Sequence, residues 1–214
     1  MESTLTLDTI TLASGGHASP ADGLCVMEAA AYFAREPHSD RPACVSPVIA
    51  AFLRSWNDAL STADRNRLLK PYVLRVIGTR TTTADKETRA WLATDWLVRV
   101  QTPAWLRLAG LEAEAQALAS LARITDATTA RGAQPTLNEA RSRADAAWAA
   151  AGDAAGDAAR AAAMDAARAV AKAAAGARLA PVVAELQASA LGLLDAMIAV
   201  GAGVPATDHA PEEG

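Results

Sequence analysis

The run "DAAWAAAGDAAGDAARAAAMDAARAVAKAAAGA", residues 145–177, constrains this chain more than any other part of it, because more than half of its residues are alanine. Alanine has the highest helix propensity, and its methyl group contributes little transfer free energy when buried. Such a run forms helix, and its anchoring must come from larger side chains elsewhere. Thr136 and Glu139, just after Pro135, have the spacing of a capping box. A helix is therefore predicted from Thr136 to about Ala180, where Pro181 stops it. At 1.5 Å per residue it is roughly 60 Å long. A rod of that length either projects from the bundle or is bent back at Gly152, Gly156 and Gly176. Its few larger apolar residues, Trp148 among them, suit packing against a second helix. The segment is expected to be an interaction element, with Trp148 a candidate contact residue.

The rest of the chain also reads as helix. "TLTLDTITLASGG" alternates Thr with Leu or Ile and reads as a short extended segment ended by Gly15 and Gly16. Ser19-Pro20-Ala21-Asp22 and Ser46-Pro47 both carry helix-start signals, and Ser61 with Asp64 caps a third helix. Pro71 should split that helix near Lys70, and Thr102-Pro103 should open a short one ending at Gly110. A terminal amphipathic helix carries Val183, Leu186, Leu193, Leu194 and Met197 on its apolar side. The expected fold class is all-α: a helical bundle with a short extended N-terminal segment and a long alanine-rich C-terminal helix. The expected segments are 1–18 extended, 19–130 helical core, 135–200 the long helix plus the amphipathic one, and 201–214 a disordered tail.

Charge excludes some functions. The net charge is -4, which argues against a dedicated nucleic-acid binder. Residues 61–110 are locally basic, with nine Lys/Arg against four Asp/Glu. Arg65, Arg67, Lys70 and Arg75 are expected to engage acidic protein surface, on this chain or on a partner. The best membrane candidate, 179–204, is interrupted by Glu185 and Asp195, and no signal peptide is visible. Two cysteines make no disulfide framework. These features point to a cytoplasmic protein.

Both cysteines and two of the three histidines lie in residues 15–44. His17, Cys25, His38 and Cys44 are donors that tetrahedral zinc takes, in the order His-x7-Cys-x12-His-x5-Cys. The tight pair usual in such sites, Cys-x2-Cys for instance, is missing. Cys25 falls inside a predicted helix, where a free cysteine acts as a small apolar residue. Glu28, Glu36, His38, Asp40 and Ser19 allow a catalytic pairing to be drawn, but no nucleophile elbow, phosphate loop or HExxH accompanies them. The stretch reads as the rigid start of the fold, with zinc as the alternative. Trp91, Trp96 and Trp105, interleaved with Arg89, Arg99 and Arg107, read as core packing at helical spacing, with a basic aromatic surface as the alternative. Each buried indole N–H then needs an acceptor, and Asp95 is the nearby candidate.

The elements H-x-S at His17, G-x-C-x-M-E from Gly23 and E-P-H-S-D from Glu36, with "TRAWLATDWLVR" and "TPAWLRLAGL", resemble a family of uncharacterised proteins from actinobacteria and their phages. The resemblance covers roughly residues 5–125. It implies a bacterial or phage origin, consistent with 17 arginines against three lysines, a codon-bias signature of a high-GC genome. The family has no established activity, so the resemblance implies no catalytic residue. The leading expectation is a helical protein that acts by binding protein, through a partner or through self-association, with neither nucleic acid nor membrane involved. The alternative is a zinc- or small-molecule-binding domain with hydrolytic chemistry.

Overall fold

The computed structural model describes residues 5–161 and 165–202, with side chains for all of these except 148–161 and 165–178. It is all-α. The helices are α1 (Val26–Phe33), α2 (Pro47–Ala59), α3 (Thr62–Leu69), α4 (Thr83–Trp96), α5 (Thr102–Leu108), α6 (Glu112–Ala119), α7 (Ala127–Ala161) and α8 (Asp165–Ala199). The chain forms two compact units. The first holds the residues up to Ala90 together with those from Leu194 onward, and the second runs from Trp91 to Leu193.

In the first unit the N-terminal segment is extended only in part: residues 6–10 close a turn instead, with Thr9 N–H and Ile10 N–H donating to the Thr6 carbonyl. Its one β-contact among the described residues is an isolated bridge between Leu12 and Leu24. Side chains hold the rest of it: the Asn66 amide both accepts from Leu12 N–H (2.8 Å) and donates to its carbonyl (3.2 Å). The Ser19-Pro20 signal does not start a helix. Gly23 has φ +135°, which no helix accommodates, and Leu24 is held by Leu12. The helix therefore begins at Val26, and Cys25 is its N-cap rather than an interior residue.

At its other end α1 closes with a six-residue turn. Glu36 N–H donates to the Ala31 carbonyl, Arg35 N–H to that of Tyr32, and Arg35 takes φ +60°. Helix α2 starts with Pro47 at its first position and buries Ile49, Ala50, Leu53 and Asn57. Ser61 Oγ caps α3, and Pro71 ends it in a 3-10 turn, Lys70–Tyr72, as expected. Leu12, Met27, Ile49, Leu53, Leu69, Leu194 and Met197 are fully buried and form the unit's core.

In the second unit α4 passes through a π turn, Leu97–Gln101, directly into α5. Thr102-Pro103 therefore opens α5, which ends before Gly110 as expected, but with no break between it and α4. Pro103 contributes no N–H, and the wider turn before it absorbs the loss: both Thr102 N–H and Thr102 Oγ donate to the Leu97 carbonyl. Leu111 precedes α6, and Leu118 is buried. Helix α7 packs Ala130, Ala133, Leu137, Ala140 and Ala144 against a core of Val98, Leu106, Leu118 and Ile124. That spacing is a single helical stripe, and its small residues allow the backbones to approach closely.

Neither the predicted helix start at Thr136, after Pro135, nor the predicted stop at Pro181 holds. Pro135 lies inside α7 and Pro181 inside α8. Both are exposed. Arg131, whose carbonyl Pro135 leaves without its helical donor, is exposed as well, so the lost bond is on the side away from the core, while the buried stripe holds the helix together. The side chain of Trp148 and the tail from residue 203 lie outside the described residues.

Candidate functional site

The sequence constellation converges on one carboxylate. Glu28 sits in the first turn of α1 and forms a capping box with Cys25: Glu28 Oε2 accepts from Cys25 N–H (2.7 Å), and Cys25 Sγ accepts from Glu28 N–H (3.4 Å). Glu28 Oε1 accepts from His17 N–H (2.7 Å), and Oε2 lies 2.7 Å from His17 Nδ1. His38 Nε2 donates to the His17 carbonyl at 2.9 Å and lies 3.7 Å from Glu28 Oε1. That bond requires the proton on Nε2 and leaves Nδ1 buried without a partner. The carboxylate is 2% exposed. Burial alone would raise its pKa, but the N–H groups of Cys25 and His17 and the His17 ring outweigh it and hold the carboxyl below its ordinary value.

This arrangement is a clasp. It fastens the loop at His17 and the loop at His38 to the start of α1. A Cβ added at Gly23 would lie 2.7 Å from His17 Cδ2, so the clasp also depends on glycine there. Of the four zinc candidates, the structure brings His17, Cys25 and His38 toward Glu28. Cys44 is turned toward Glu36, which also accepts from its N–H at 2.8 Å. Among the described residues no group of three or more His, Cys, Asp or Glu side chains is placed to hold one ion. Both cysteines are free. Burial pushes the Cys25 thiol up to about 12, and burial with the neighbouring Glu36 pushes Cys44 to about 11. Neither is poised as a nucleophile at neutral pH.

The basic candidates are occupied within the chain. Arg65 is 4% exposed and cannot be a contact residue: its guanidinium donates to the carbonyls of Asn57 (2.8 Å), Leu60 (2.7 Å) and Leu12 (3.4 Å). It is a buried cross-brace between α2, α3 and the N-terminal segment. Arg67 pairs with Asp64 at 2.7 Å. Lys70 donates to the Asp8 carbonyl. Arg75 pairs with Asp195 at 2.8 Å and lies over the Tyr72 ring at 4.5 Å. Three of the four thus meet acidic side chains or carbonyls of their own chain from the surface of the unit.

The tryptophan segment divides. Trp91 packs on the second unit's core, and Trp96 Nε1 donates to Ser189 Oγ at 2.8 Å, not to Asp95. The Asp95 carboxylate is taken by Ile124 N–H and Arg99. Arg89 is fully buried, so it is no part of a basic surface. Trp105 is 44% exposed, with Leu97 at 50% and Val100 at 39% in the π turn just before it. On α8, Leu179 and Val183 are 37% exposed, so Val183 does not lie on a buried apolar side.

The sequence reading missed Arg89 as a buried anchor and Glu28 as the centre of the clasp. The Cys25-x-x-Glu28 spacing was the available signal for the second, being a capping box with Cys in place of Ser. A comparison with protein-family models, with curated proteins and with solved structures finds no match to this chain.

Proposed function

We propose that this chain is a cytoplasmic, non-enzymatic binding protein of bacterial or phage origin, which engages a protein partner through an apolar surface of its second unit. The observation that carries this reading is the exposure of Leu97, Val100 and Trp105 within two consecutive turns. Exposed apolar residues scattered singly need no explanation, but grouped large ones mark interaction surfaces, and tryptophan is over-represented among residues that dominate binding. The partner is a second copy of this chain or another protein. The polar constellation of the first unit supports a structural role: the clasp is closed by backbone N–H groups, and both thiols have raised pKa values.

A membrane reading has one point in its favour. Leu179–Ala199 is long and apolar enough to cross a bilayer, with mean hydropathy 1.5. Against it, Asp195 is engaged by Arg75, and Leu194 and Met197 are fully buried in the first unit's core.

The test places a photo-crosslinking amino acid at position 105, with a control at exposed Arg131, and follows the purified protein by sedimentation velocity across micromolar concentrations. The reading expects either concentration-dependent self-association or a discrete crosslinked protein in producing cells. Both should be specific to position 105 and lost with Leu97→Glu. A strictly monomeric protein with equal, diffuse crosslinking at both positions would overturn it.

A further inference from the structure

We draw no further inference here: the strongest candidate, the exposed apolar face of α8 at Leu179 and Val183 in the second unit, is a surface for which nothing among the described residues shows what covers it.

Discussion

Arg89 donates its Nε–H to the carbonyl of Met197 at 2.9 Å, joining residues 108 positions apart. Its Nη2 donates to the Val200 carbonyl, so one guanidinium takes two of the carbonyls that the end of α8 leaves free. Burial pushes its pKa down, and Asp85 works against that shift. Lysine presents no planar fork, so Arg89→Lys cannot reproduce the geometry. Replacement by Ala or Lys is expected to cost about 3 kcal/mol or more, because buried carbonyls lose their donors. Urea denaturation checks it; a midpoint unchanged in Arg89→Ala would remove the anchor from this account.

Glu28 gives the fold an acid limit. Its folded pKa is depressed from an ordinary value of 4.5. The unfolded state therefore takes up protons first as the pH falls. The carboxylate's contribution is present in full above about pH 4.5 and is lost as the pH falls through the folded value. Glu28→Gln should be markedly less stable than the parent at pH 7, and the gap should close toward pH 3. Thermal unfolding of both proteins from pH 3 to pH 8 measures the difference. A gap of constant size would mean the charge contributes nothing.

The thiols should be inert in the native state. With pKa values near 12 for Cys25 and 11 for Cys44, thiolate at pH 8 is roughly one part in ten thousand and one in a thousand. Ellman's reagent is expected to label neither within minutes in native protein and both in denaturant. Rapid labelling of Cys44 before unfolding would contradict its placement beside Glu36.

Alanine at position 140 is a packing requirement. Ala140 is 5% exposed and lies in the stripe that α7 presents to its unit's core. Ala140→Leu should cost about 1–3 kcal/mol through overpacking, while a helix former such as Lys at exposed Asn138 should change stability by less than about 0.5 kcal/mol. Denaturant midpoints of the two variants separate the cases; equal effects would mean the stripe is not a packed seam.

Local signals were legible where the chain obeyed them locally. Ser61 with Asp64 capped a helix, Pro71 ended one, and the leucines and valines filled the core. The failures share a cause: tertiary packing overrode the local rule. Ser19-Pro20 had the residues of a helix start, but Gly23 and the Leu12–Leu24 bridge kept the chain extended beyond it. Pro135 and Pro181 sat on solvent faces, where the missing bond was cheap. In the first unit's polar network, residue types could be named in advance but not their pairings. Arg65 looked like surface charge because nothing in its neighbours announces three backbone carbonyls gathered around it. Arg89 was invisible for the same reason, since its acceptors come from the far end of the chain.

The division of the chain into a unit built from two separated segments has a consequence for how it is born. Translation proceeds at about 5–20 residues per second, so the roughly one hundred residues between Ala90 and Leu194 delay the last piece of the first unit by about 5–20 s. The second unit is encoded in one stretch and borrows nothing from beyond Leu193. Through that interval the early segment waits with an open groove where Leu194 and Met197 belong and with Arg89 lacking its acceptors. A second, released copy carries the same Leu194 and Met197 and can offer them to that groove. The order of synthesis thus makes this protein a natural candidate for exchange of its last helical turns between copies.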